Sequence, residues 1–149
     1  MLTEIEQQSL DIDWFFIADN KIGFVASGGG KLPDSVTNLN KNFSEISSYF
    51  RSLPEKTEAI INKELKRIKT TTITDYYLED FVYMAKRGLY SFDKTLLNNF
   101  SDTNYHIVAR PIECLRVEEL PIEITDLINK TTYDGNIEIE NSISSVEIR

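Results

Sequence analysis

Hydrophobic and polar residues alternate near the start of the chain in a way that predicts a β-hairpin. Every second position on one face of residues 11–18 is apolar: Ile12, Trp14, Phe16 and Ala18. The polar residues 19–21 follow, and residues 21–27 then alternate again. Two alternating runs joined by a short polar stretch are typical of antiparallel strands that pair through a tight turn.

The middle of the chain changes to the spacing of amphipathic helices. Apolar side chains recur three or four positions apart over residues 40–52 and 55–69, and again from Asp75 to the glycine at position 88. This spacing predicts three helices. Asp34 or Ser35 is a candidate N-cap at the beginning of this region, and Asp75 is the candidate N-cap of the third helix.

The last third of the chain returns to strands. Residues 89–94 and 105–112 predict two strands, and a short helix is expected to begin at Pro121. Residues 136–148 predict a final strand that breaks near Ser144, where the alternation changes phase. Strands, then helices, then strands indicate one α+β domain over residues 1–149, with a largely antiparallel sheet.

The acidic side chains are unevenly distributed. The net charge is −8, and residues 75–149 hold 14 acidic against 7 basic side chains. Such a surface repels nucleic acid and favours encounter with a basic protein, although it also aids solubility. The acidic residues predicted to contact a partner form two patches: Glu118, Glu119, Glu123 and Asp126, and then Asp75, Glu79 and Asp80.

Cysteine usage and hydropathy bear on the cellular compartment. Cys114 is the only cysteine, so no disulfide can form within the chain. The acidic N-terminal residues do not resemble a secretory signal, and the longest apolar run, residues 14–18, is far shorter than a membrane span. We therefore expect a cytoplasmic protein that does not enter a membrane.

Few residues in this chain are suited to catalysis. The loop at residues 28–30 consists of three glycines, but Leu32 stands where a phosphate-binding loop places a hydroxyl. His106 is the only histidine, and a pair with Cys114, eight residues away, is conceivable in space but weakly specified by the sequence. One histidine and one cysteine do not build a typical zinc site unless carboxylates supply the other ligands. We expect a protein that is not an enzyme and binds no cofactor or metal.

Several short segments resemble small bacterial immunity proteins of polymorphic toxin systems. They are DWFF (13–16), IGFVASGGG (22–30), LP (32–33), GLYSFD (88–93), YHIVARP (105–111) and LP (120–121). Together they cover about a third of the chain, in the same order as in those proteins. The resemblance implies a cytoplasmic protein that binds and blocks a cognate toxin without catalysis of its own.

Two other functions are compatible with the sequence. A small enzyme or ligand-binding domain would use a pocket beside residues 28–30, with His106 or Cys114 nearby. A structural or adaptor domain would associate with itself through the exposed edge of the last strand. The position of His106 and the extent of the last strand therefore bear on which of these functions the fold supports.

Overall fold

The computed structural model describes residues 1–39, 42–69 and 72–149. The helices are α1 (Glu4–Gln8), α2 (Asp34–Thr37), α3 (Phe43–Ser52), α4 (Leu65–Ile68), α5 (Asp75–Ala85) and α6 (Ile122–Ile128). The strands are β1 (Asp13–Ala18), β2 (Lys21–Ala26), β3 (Ala59–Ile61), β4 (Tyr90–Lys94), β5 (Asn104–Pro111) and β6 (Ser142–Ser144). The predicted α+β class is confirmed, and so is the N-terminal hairpin.

The strands form one curled sheet that is mixed but mostly antiparallel. Its order is β1-β2-β4-β5, and both β3 and β6 pair with the outer edge of β5. Only the β2–β4 pair is parallel among the pairs of named strands that the structure describes. The chain reaches β4 from β2 through the helical middle segment, because parallel neighbours need a crossover connection.

A β-bulge explains how one edge of β5 accommodates two strands. Ser91 lies opposite Ala109, but its neighbour Phe92 lies opposite Ile107, so Val108 is the extra residue. The bulge changes which backbone groups of β5 point away from β4. Residues 104–106, before the bulge, pair with β6, and residues 109–111, after it, pair with β3. At the junction, the side-chain amide of Asn62 donates a hydrogen bond of 2.9 Å to the Ile107 carbonyl.

The two faces of the sheet bury separate apolar clusters. Helices α3, α5 and α6 cover one face with these buried side chains: Ile46, Phe50, Phe81, Met84, Ile124 and Ile128. Trp14, Phe16 and Phe92 lie on the opposite face with Ile143 and Ile148 of the C-terminal segment. The hairpin strands are apolar on both sides for this reason, as strands covered on both faces are.

Two of the predicted elements are wrong. Residues 55–69 do not form one helix, because residues 59–61 pair with β5 as a strand and only Leu65–Ile68 is helical. The final strand is limited to Ser142–Ser144, and a 3₁₀ turn begins at Ser145, so the break near Ser144 is confirmed. Residues 40 and 41 of the first predicted helix lie outside the described residues.

Two predicted helix caps are also wrong. Pro33 occupies the N-cap position of α2, which begins at Asp34. Thr74, and not Asp75, caps α5, because its hydroxyl accepts a hydrogen bond of 3.1 Å from the amide of Tyr77. Asp75 is instead the first residue of the helix, where its carboxylate interacts favourably with the helix dipole.

Candidate functional site

Helix α5 presents an acidic, aromatic face to solvent. Phe81, Met84 and Ala85 are buried against the sheet, and the opposite side of the first two turns carries Asp75, Tyr76 and Glu79. Tyr76 is 88% exposed, which is unusual for so large a ring. We call Asp75, Tyr76, Glu79 and Tyr83 the α5 ridge.

A groove runs along each side of the α5 ridge. Tyr76, Glu79 and Tyr83 line both grooves. The first groove has a volume of about 670 Å³, and its other lining residues are Glu55, Ile61, Asp75, Leu78, Val82, Lys86 and Arg87. The second has a volume of about 570 Å³, and its other lining residues are Arg51, Tyr77 and Asp80. The ridge therefore stands between two concave surfaces.

Asp80, a predicted contact residue, already has a partner within the fold. Its carboxylate accepts a 3.0 Å hydrogen bond from Arg51, which also donates to Asp13 of β1 at 2.7 Å. The hydrogen bond to Asp80 is the main reason that the pKa of Arg51 is raised. The Ser47 hydroxyl completes the network with a 2.6 Å bond to Asp13. Asp80 thus links α5 to α3 and β1 and helps to position the ridge.

The other predicted acidic patch lies on and before α6. Glu119 caps the 3₁₀ turn at Val117–Glu119 by accepting a 2.7 Å hydrogen bond from the Arg116 amide, and this bond lowers its pKa. It also pairs with Lys56 at 3.3 Å. Glu118 accepts a 3.2 Å bond from Asn20. The remaining members, Glu123 and Asp126, are exposed on α6.

The two predicted patches belong to different parts of the helical layer. Helix α3 contacts α6, and it contacts α5 through the Arg51–Asp80 pair. Grooves with aromatic lining flank the α5 ridge, whereas Glu118 and Glu119 are engaged with neighbours of their own. Of the two patches, the α5 ridge is therefore the better-formed candidate site.

A buried polar cluster beneath α5 contains the only histidine. Asp93 accepts hydrogen bonds from Lys69 at 3.0 Å and from the Tyr77 hydroxyl at 2.6 Å. The Nε2 atom of His106 lies 3.4 Å from the Tyr77 hydroxyl, and its Nδ1 atom lies 3.1 Å from the Thr95 hydroxyl. His106 is 2% exposed. Both ring nitrogens thus have partners inside the protein, which is the arrangement of a structural histidine.

Burial lowers the pKa of His106 to about 4, because desolvation disfavours the charged ring; nearby Asp93 opposes this effect and Lys69 adds to it. In the unfolded chain the histidine ring has a pKa of about 6.5. Between about pH 4 and this value the unfolded chain therefore binds more protons than the folded protein. The stability contributed by neutral His106 should therefore fall by up to about 3 kcal/mol as the pH drops from about 6.5 to 4.

The single imidazole resonance in an NMR pH titration checks this directly. We expect it to stay at the neutral position down to about pH 5 and to move only near the lowered pKa. Circular dichroism over the same pH range shows whether the chain remains folded. A midpoint near 6.5 in the folded protein would contradict a buried, fully partnered ring.

The glycine loop packs against the body of the protein. Gly28 and Gly29 have φ angles of 52° and 76°, in the region that favours glycine. A side chain at Gly30 would collide with Lys94 and with the hydroxyl of Tyr105. The pocket that Gly28 and Gly29 line has a volume of about 190 Å³, below the roughly 300–1,000 Å³ of typical ligand sites. A pocket of about 370 Å³ begins at the next residue, Lys31, and neither of these two pockets is lined by His106 or Cys114. The left-handed backbone at Gly28 and Gly29 and the close packing at Gly30 together account for the three glycines.

In the described ranges, no group of three or more His, Cys, Asp or Glu side chains could hold a metal ion, and Cys114 is half-buried with a free thiol. None of the helices described is long and apolar enough to cross a membrane.

Comparison of the chain with protein-family models, with curated proteins and with solved structures finds no significant match.

Proposed function

We propose that this protein is a non-catalytic binding protein that neutralises a basic bacterial toxin, and that the α5 ridge is its principal contact surface. The observation that carries the proposal is the exposure of Tyr76 between two carboxylates, on a helix with a groove along each side. The resemblance to immunity proteins noted in the sequence supports the same function.

Tyrosine and acidic side chains make complementary contributions at such a surface. Tyrosine is enriched among the residues that dominate binding energy, because its ring buries a large area and its hydroxyl keeps a polar partner. Carboxylates at the edge of the contact attract a basic protein and select its orientation. Tyr76 supplies the exposed ring, and half-buried Tyr83, whose hydroxyl donates a 2.6 Å hydrogen bond to the Arg51 carbonyl, supplies a fixed one. Asp75 and Glu79 supply the charge.

The acidic residues on α6 have a different role in this proposal. Glu123 and Asp126 are exposed but belong to a separate helix from the ridge. With Glu118 and Glu119 they extend the negative potential of the molecule, which accelerates association with a basic partner. We therefore assign them to steering, and Asp80 to support of the ridge.

The resemblance to immunity proteins makes a toxin-like reading frame directly upstream of this protein's gene the place to look for the partner, and co-expression with the product of that adjacent reading frame tests the proposal. We expect that product, expressed alone in a bacterial host, to arrest growth, and we expect this protein to restore growth and to form a complex that high salt weakens. A Tyr76→Ala variant should restore growth poorly, while a Tyr90→Phe variant, altered inside the fold, serves as the control. Full rescue by Tyr76→Ala would count against the ridge.

A further inference from the structure

Strand β3 has one edge that is paired and one that is not. Its register with β5 places Ile60 opposite Arg110. The amide of Asn62 donates to the Val108 carbonyl at 2.9 Å, and the amide of Ile112 donates to the Glu58 carbonyl at 3.1 Å. In an antiparallel pair the hydrogen-bonding direction alternates. The even-numbered residues therefore face β5, and the amides and carbonyls of Ala59 and Ile61 face away from it.

Nothing in the described ranges hydrogen-bonds to that outer edge. No backbone or side-chain bond involves the amide or carbonyl of Ala59 or Ile61 on this side. By contrast, the edge of β1 is covered, because Ile17 exchanges hydrogen bonds of 2.9 Å with Thr131 and Tyr133. Proteins usually protect a free edge by keeping it short or with lysine, proline or a bulge. β3 has only three residues, but it carries isoleucines that are 52% and 42% exposed.

The open edge borders the first groove beside the α5 ridge. Ile61 lines this groove together with Leu78 and Val82 of α5. An extended peptide that adds to a sheet gains affinity from main-chain hydrogen bonds and specificity from pockets for alternate side chains. A strand edge beside an apolar groove supplies both of these features.

The charges around the groove indicate which kind of strand it accepts. Glu55, Asp75 and Glu79 line it. The groove also contains Lys86 and Arg87, so its lining carries three acidic against two basic side chains. Arg87 already donates to the carbonyls of Leu53 and Tyr83 at 2.8 and 2.9 Å. A second copy of the chain, with its net charge of −8, would bring like charge to this rim, whereas a basic segment would bring the opposite charge.

We propose that an extended basic segment of the partner adds to the outer edge of β3 as a further strand. Its backbone pairs with Ala59 and Ile61, one apolar side chain enters the groove against Leu78 and Val82, and its lysine or arginine side chains meet Asp75 and Glu79. This binding mode rests on the proposed function, for which it names the way in which the partner is held.

Amide hydrogen exchange with a defined peptide tests strand addition. The probe is a capped Lys-Val-Lys-Ile-Lys-Val peptide at about 1 mM, a concentration suited to weak binding. In the free protein the amides of Ala59 and Ile61 should exchange rapidly. With the peptide we expect their exchange to slow by at least about tenfold, while a peptide of the same length with proline at its centre and one with glutamate for lysine should have no effect.

Each other outcome of this measurement overturns the proposal. Binding that leaves Ala59 and Ile61 unprotected would place the basic segment elsewhere. Protection that grows with protein concentration in the absence of peptide would assign the edge to a second copy. Equal protection by the glutamate peptide would remove the charge argument.

Ala59→Pro separates strand addition from the proposed function. The proline removes an amide that faces away from β5, so the β3–β5 ladder is retained; Ile60→Pro, which removes an inward amide, is the destabilised comparison. We expect Ala59→Pro to keep its melting temperature within a few degrees and to lose peptide binding and growth rescue. Rescue by a folded Ala59→Pro variant would overturn strand addition and leave the proposed function standing. Failure of the unsubstituted protein to rescue growth would overturn the function itself.

Discussion

Simultaneous charge reversal at Asp75 and Glu79 is expected to weaken binding of the basic partner by at least about 100-fold. Both side chains are exposed on the α5 ridge and lie beside the first groove, so the change replaces attraction by repulsion at both carboxylates of the ridge. The fold should persist, since a lysine in the first turn of a helix costs only about 0.3–1 kcal/mol through the helix dipole. Biolayer interferometry of the Asp75→Lys, Glu79→Lys variant measures both rate constants.

The matched control reverses two acidic residues on α6. Glu123→Lys with Asp126→Lys makes the same change in net charge, and Glu123 likewise occupies the first turn of its helix. We expect this pair to slow association with little change in dissociation, because charges outside the contact act through steering. Equal losses of affinity in the two variants would mean that net charge alone matters and that the ridge is not the contact surface.

Gly23→Ala is expected to destabilise the protein by about 3 kcal/mol or more. Gly23 lies directly opposite Phe16 in the hairpin, and a Cβ atom at this position would overlap the Phe16 ring. Phe16 cannot move aside easily, because it is fully buried and its ring packs against Trp14 and Phe92. Urea denaturation followed by circular dichroism measures the change in unfolding free energy.

A double-mutant cycle tests whether overlap with the Phe16 ring causes this destabilisation. In a Phe16→Leu background the added methyl group has more room, so the destabilisation by Gly23→Ala should shrink by at least about 1 kcal/mol. Ala26→Gly, at another position of β2, controls for an ordinary effect of chain flexibility. Strict additivity of Phe16→Leu and Gly23→Ala would show that the ring contact is not the source of the instability.

The hairpin was predictable because its determinants are local. The alternation of apolar residues identified both strands, and the polar turn supplied Asp19 and Asn20, whose φ angles of 46° and 65° suit a two-residue hairpin turn. The apolar stripe of α5 was equally local, although the cap was Thr74 and not Asp75. Patterns over ten to fifteen residues determine elements of this kind.

Strand β3 was missed because its structure depends on a distant partner. Ile61 fits a helical stripe with Leu65, and a three-residue strand is too short to show a period of two. Residues 59–61 become extended only because β5 offers an unpaired edge beyond the bulge at Val108. The last predicted strand is wrong for a local reason, because residues 137–139 form a turn closed by a 3.0 Å hydrogen bond from the Glu140 amide to the Asn136 carbonyl. Ile139 is therefore 73% exposed, while Ile137 and Ile143 are buried.

The candidate site was predictable in part. Asp75 and Glu79 followed from the uneven charge, but the sequence did not show that Asp80 pairs with Arg51 or that Glu119 caps a turn. The roles of the tyrosines were also missed, because Tyr76 and Tyr77 are neighbours in sequence that point to solvent and to buried Asp93, respectively. Only the packing of α5 on the sheet distinguishes them.

Calorimetric titration of this protein with the product of the adjacent reading frame, at low and at moderate salt, tests the central claim most directly. We predict a one-to-one complex whose affinity falls as salt rises and which the Asp75→Lys, Glu79→Lys variant fails to form. Absence of a complex, or a complex that neither salt nor this variant weakens, would contradict the assignment of the α5 ridge as the surface that binds a basic toxin.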